Sequence, residues 1–278
     1  MSPVTVSEMR TFLGICMYMS VVSLPARRMY WSPKTRQATV ADSMTTNRFE
    51  EILAILHTND NELEKPKGQD GYDKLHKIRP LLISLNKHFD ECAEKELHVS
   101  CDEQMIPFKG RNSLKVYMAK KPKKWGYKVW VQAGQSGYVH KFKMAGDNLS
   151  EKEIDAIESS GTPRRQSTDT SQDQYLNYDE KWRVGKSGET VLMLVKDQPP
   201  GSYAYFDNYF ASPDLLSVLK ERNINATCTL RADRMRGCPL PIESELKKKG
   251  RGSYDYRCDK ETDVLVCRSL LLPQMCIQ

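Results

Sequence analysis

The sequence predicts an α/β core preceded by a helical domain. Three observations predict it. Up to about residue 90 the apolar residues recur at helical spacing. After Cys92 the texture changes to short runs of alternating character. From Ser187 onward a helical pattern, a strand pattern, a second helical pattern and a second strand pattern follow one another, the signature of an α/β sheet. With 278 residues the chain can bury a sizeable core without disulfide or metal staples. Its 39% hydrophobic content contains no run near the ~18 apolar residues of a membrane span, so a membrane partner is not expected.

The first helix is expected over residues 6–23, from Met9, Phe12, Leu13 and Cys16 on one face. Thr5 and Glu8 have the spacing of a capping box ahead of it, and Pro25 stops it. A second helix starts near Thr46 or Asn47 and carries Phe49, Ile52, Leu53 and Leu56. Asn59 to Asp73 is a polar loop. Leu75, Ile78, Leu82, Leu85 and Phe89 mark a third helical segment, which Pro80 should kink or restart. A strand is expected to end at Asp102, followed by a strand pair at Gly126–Ala133 and Tyr138–Met144 joined by a turn at Gly134–Gly137. Asp147 to Lys181 is acidic and contains SSGTPRRQSTDTSQDQ, the composition of a surface insertion. Then come a helix at Ser187–Val195, a strand ending at Asp207, a helix from Pro213 to Arg222 and a strand from Ile224 to Leu230. The last residues, SLLLPQMCIQ, complete no recognisable element.

Charge is distributed unevenly. Between Gln104 and Gly146 there are ten lysines and arginines and no acid, although the whole chain nets only +6. The remainder is therefore net acidic, and the basic stretch points to a polyanionic partner. Lys109, Arg111, Lys115, Lys120, Lys121, Lys123 and Lys124 are its candidate nucleic-acid contacts, interleaved downstream with Trp125, Tyr127 and Trp130. The alternative is a solvated basic face, with Trp130 and Tyr127 in the core. Trp125 is expected to be buried, as strand tryptophans usually are. The eight cysteines include no C-x-x-C pair, and several lie in apolar runs, so they read as free thiols in a reducing nuclear or cytosolic compartment. Glu8 and Arg10 leave no basic segment ahead of the apolar run at Thr11–Leu24, which argues against a secretory signal. The five histidines show no ligand spacing.

Two acids each follow an apolar, strand-like run: Asp102 in LHVSCDEQ and Asp207 in YAYFDNYF. Carboxylates at adjacent strand ends can converge on Mg²⁺. On spacing alone they serve equally well as caps of the turns that follow.

CDEQMIPFKGRNSLKVYMAKKPKKWGYKVW (Cys101 to Trp130) and FDNYFASPDLL (Phe206 to Leu216) resemble the piggyBac transposase family. So do MRTFLGICMYMSVVSLPARRMYWS and NRFEEILAILHTND, and the resemblance runs to about Arg268 apart from the insertion. It implies a ribonuclease-H-like mixed sheet flanked by helices and a DDE-type site for cut-and-paste DNA transposition. Asp102 on the first strand and Asp207 at the end of the fourth would be catalytic and metal-binding. It also implies a helical domain of dimerisation or DNA-binding type at 1–94, and a core at 95–278 with an insertion at about 147–186. The family's third catalytic aspartate and its zinc-binding C-terminal domain have no counterpart here. Asp255, Asp259 and Asp263 are poor substitutes, and no zinc site is expected. The expectation is thus a transposase-derived DNA-binding protein with an incomplete catalytic triad and at most weak or vestigial Mg²⁺ binding. Its partner would be double-stranded DNA, with a homodimer as the candidate assembly and no small-molecule substrate. The alternatives are an active Mg²⁺-dependent DDE transposase or nuclease, and a protein-interaction module that has lost DNA binding.

Overall fold

The computed structural model describes residues 2–147, 154, 182–235, 237–270 and 275–277. It divides into two compact units, Met1–Glu64 and Lys65–Gln278. The insertion expected at about 147–186 lies, over most of its length, outside the described residues.

The first unit is built from helices α1 (Val6–Val21), α2 (Ala38–Ala41) and α3 (Thr46–Ile55). The expected capping box is present: the Glu8 N–H donates to Thr5 Oγ1, and the Thr5 N–H donates to Glu8 Oε2. Phe12, Val40, Phe49 and Ile52 form the core, with the Phe12 and Phe49 rings 4.8 Å apart. Arg48 donates from Nε to Glu8 and from Nη1 to Glu51, which ties α3 to the first turn of α1.

The second unit opens with a 3-10 turn at His76–Ile78, and α4 (Arg79–Glu91) restarts at Pro80, which occupies a first-turn position where no N–H is needed. A mixed sheet follows. Its strands are β1 (His98–Pro107), β2 (Val116–Tyr117), β3 (Trp125–Gly134), β4 (Val139–Met144), β5 (Tyr203–Phe206), β6 (Asn225–Thr229), β7 (Tyr254–Cys258), β8 (Leu265–Ser269) and β9 (Met275–Ile277). The order is β2-β3-β1-β5-β6-β9-β8-β7, with β4 beside β3. β1, β5 and β6 run parallel, and β3 and β9 flank them antiparallel.

Helices cover both faces. α5 (Gly185–Leu194) and α6 (Pro213–Glu221) bury Val191, Leu192, Leu215 and Leu219 against Val99, Cys101, Ala204 and Phe206. On the opposite face Ile78 of the 3-10 turn and Leu82 of α4 pack in one cluster with Val131 of β3 and Phe142 of β4. A short helix, α7 (Glu243–Lys249), precedes β7. The mixed, helix-flanked sheet expected from the sequence is present.

Two expectations need correction. β1 does not end at Asp102 but runs on to Pro107, because β3 pairs with it as far as Pro107↔Gly126. The C-terminal residues do contain an element: Met275–Ile277 inserts between β6 and β8, a pairing set by tertiary contacts rather than local pattern. Asp255 lies in the β7–β8 hairpin, whose first strand is mostly exposed.

Candidate nucleic-acid and metal site

The parallel register β1–β5 decides where the two acids lie. Its last matched pair is Cys101↔Phe206, so Asp102 and Asp207 follow at adjacent positions on neighbouring strands. Parallel neighbours are spaced ~5 Å apart. Both residues are exposed. Each commits one oxygen locally. Asp102 Oδ1 accepts from the Glu103 N–H at 2.7 Å, and Asp207 Oδ1 accepts from the Tyr209 N–H at 2.8 Å. The turn-capping reading therefore holds for Asp207.

Two hard carboxylates suit Mg²⁺ or Mn²⁺, which keeps waters in its remaining positions. Among the described residues no group of three or more His, Cys, Asp or Glu side chains is placed to hold a metal. Asp255 pairs with Arg257 at 2.7 Å, Asp263 with Lys220 at 2.6 Å, and Asp259 accepts from the Thr262 N–H at 3.1 Å.

Lys128, Trp130 and Tyr209, with Glu103, complete the surroundings. Lys128 Nζ lies 3.8 Å from the Trp130 ring centroid and 4.5 Å from that of Tyr209. The two rings stack at 5.3 Å. Burial pulls the Lys128 ammonium below the usual lysine pKa, against the opposing pull of Glu103, Asp207 and Asp102. Glu103 in turn takes Lys121, whose Nζ is 3.2 Å from Glu103 Oε1 and from Glu103 O. The only sequence cue to Lys128 was its place in the alternating strand GYKVWVQA.

The basic stretch is sorted by this geometry. Lys109, Arg111, Lys120, Lys123 and Lys124 are exposed. Lys121 is folded back onto β1. Lys115 donates to Gly110 O at 2.7 Å and sits 5.0 Å over the Trp125 ring. Trp130 is buried, as the core reading expected, and Tyr127 is half-buried. Trp125 is 53% exposed, contrary to expectation: it starts β3 next to the loop that joins β2 to β3.

A family model described as Transposase IS4 matches residues 1–270. The human PiggyBac transposable element-derived protein 2 is 32% identical over 267 residues, covering 95% of this chain and 40% of that protein. The human PiggyBac transposable element-derived protein 3 is 34% identical over 271 residues, with the same two coverages. The chain belongs to the piggyBac-type transposases of the IS4 family. It spans about 40% of the length of these curated relatives. A solved piggyBac transposase, in a synaptic complex with hairpin DNA, superposes with a TM-score of 0.71 at 16% identity, over 99% of this chain and 52% of that one. The piggyBac-type fold thus extends across both units. Among the described residues no helix is long and apolar enough to cross a membrane.

Proposed function

We propose that this chain is a transposase-derived DNA-binding core. In this reading it grips duplex DNA through its basic hairpins and holds a divalent cation weakly at Asp102 and Asp207 without completing strand cleavage. The observation that carries the reading is the β1–β5 register, which sets two exposed carboxylates side by side next to an acid-free basic surface. The exposed Lys109, Arg111, Lys120, Lys123 and Lys124 neutralise phosphates. The Lys121–Glu103 pair anchors the lysine-bearing loop beside Asp102. A bound Mg²⁺ would supply charge neutralisation for a phosphate oxygen and acidify a bound water. Two carboxylates, with no group of three or more metal-ligating side chains among the described residues, fall short of the two-ion arrangement that in-line displacement needs. The solved relative in complex with hairpin DNA supports DNA as the partner, and a nuclear location fits such a partner.

The test is incubation of the purified protein with labelled duplex and with transposon-end DNA in Mn²⁺. Salt-sensitive binding without nicking is expected, with Mn²⁺ affinity lost in Asp102→Ala and Asp207→Ala. Nicking that disappears in Asp102→Ala would instead establish an active nuclease. Absence of any salt-sensitive DNA binding would favour a protein-interaction module.

A further inference from the structure

The hairpin between β2 and β3 carries an arrangement that phosphate neutralisation alone does not use. Tyr117 and Trp125 are register partners at its base, so their side chains share a face of the sheet. Their ring centroids are 4.8 Å apart, and the two residues are 52% and 53% exposed. The Met118 N–H donates to Lys124 O at 2.8 Å and closes the loop that holds Lys120, Lys121, Pro122 and Lys123. Lys120, Lys123 and Lys124 of this loop are exposed and have no acidic partner among the described residues. Lys115 lies over the Trp125 ring and adds a further positive charge at the rim. Gly126 follows Trp125 where a Cβ would come within 2.1 Å of Ile106 O, so the backbone below the rings is held tightly against β1.

An aromatic pair that is merely filling a core is covered. This pair is half open to solvent and stands among cations. A duplex offers its phosphates to such a surface but keeps its base faces stacked. An unpaired strand offers both, and base–aromatic stacking tolerates any base because each has a π-face.

We propose that Tyr117 and Trp125 form a stacking platform for an unpaired base of a DNA strand, whose flanking phosphates are met by Lys120, Lys123 and Lys124. The platform lies on the Asp102 face of the sheet, because Val131 is the partner of Asp102 and has the same parity as Trp125 along β3. Six residues of strand separate Trp125 from Val131, which is ~20 Å at ~3.3 Å per residue. That equals about six base-pair steps at ~3.4 Å each. The platform therefore addresses a nucleotide at a distance from the carboxylates, not the phosphate between them. This rests on the DNA-binding reading and adds a strand preference to it.

The experiment measures fluorescence anisotropy of a labelled oligo-dT strand, and of a blunt duplex of equal length, with the full chain at fixed salt. Trp125→Ala is expected to weaken single-strand binding by roughly five- to a hundredfold, the range of stacking losses on alanine substitution. Duplex affinity should change less than about twofold, and the salt slope should stay put, since no phosphate contact is removed. Trp125→Phe should keep most of the single-strand affinity. Tyr117→Ala should repeat the loss in a second variant, with the circular dichroism melt of each protein confirming that it is folded. Equal losses on single strand and duplex, or no loss on either, overturn the platform while leaving duplex binding intact. A wild-type chain that binds neither DNA defeats the DNA-binding reading and the platform with it. Binding to a single-stranded RNA of matching sequence more than about tenfold tighter than to the DNA strand overturns the assignment to DNA.

Discussion

Lys128 carries its charge between two aromatic rings and beside three carboxylates, a setting that explains how a cation can be half-buried in a strand. The rings supply attraction at 3.8 and 4.5 Å, and such contacts are worth about 1–2 kcal/mol when partly desolvated. Tyr209, one of the two rings, also donates its backbone N–H to Asp207. The lysine thus steadies the turn that holds the second acid, and its charge acts electrostatically on both Asp207 and Asp102. Lys128→Met should lower stability by about 1–2 kcal/mol and, by removing that charge, tighten Mn²⁺ binding at Asp102 and Asp207. Thermal melts and Mn²⁺ titration followed by electron paramagnetic resonance measure the two effects. Weaker Mn²⁺ binding in the variant would show that the lysine's hold on the Asp207 turn outweighs its repulsion of the ion. From the sequence, Lys128 was one basic residue among ten. Its distinction comes from which neighbours β3 brings to it, and that is a tertiary property.

At the scale of elements, the start of α4 is fixed by a buried charge network. Arg79 donates from Nε and Nη2 to Asp73, and from Nη1 and Nη2 to Asp147, all at 2.7–2.8 Å. The side chains are 4%, 7% and 5% exposed. One guanidinium therefore joins the loop before α4 to the residue that follows β4 and Gly146. Burial pushes the Asp73 carboxyl up, but the Arg79 hydrogen bonds and the Leu75 N–H outweigh it and hold Asp73 below the ordinary aspartate range. A carboxylate lowered in this way stabilises the fold above its unfolded pKa of about 3.9, and that stability is lost as pH falls through the lower folded value. Arg79→Ala should cost about 3–5 kcal/mol, because two buried carboxylates lose their counter-charge. It should also flatten the acid limb of a stability-versus-pH curve from urea melts.

The sequence made α4 visible by periodicity and Pro80 by its helix-start chemistry, whereas the Arg79 network joins residues 68 apart and had no local signal. The same contrast runs through the other elements. The Thr5–Glu8 box announced α1, and Pro213 announced α6. β9, three residues long and dependent on β6 and β8, announced nothing. Asp102 and Asp207 were legible as strand-associated acids. Their adjacency depended on a parallel register that no single segment encodes.

Across the whole molecule, the basic charge is concentrated where the sheet's hairpins project. Of the seven candidate contacts, Lys121 is paired to Glu103 and Lys115 is turned onto Gly110 and Trp125. The exposed loop lysines are the ones free to meet phosphates. Each phosphate neutralised on B-DNA releases condensed counterions and contributes about 0.9 to the slope of log affinity against log salt. Removing Lys120, Lys123 and Lys124 together, each changed to Ala, should therefore weaken duplex binding and reduce that slope by up to about 2.7. The loss should be the same for any duplex sequence, because phosphate contacts position the protein and do not read bases. Lys121→Ala should behave differently. It frees Glu103 near Asp102 and loosens the loop, so it should lower affinity with little change in slope. Titrations at several salt concentrations on two unrelated duplexes separate these outcomes. A triple variant with unchanged slope would mean that the loop does not touch the DNA backbone, and that the charge of the acid-free stretch serves solvation alone.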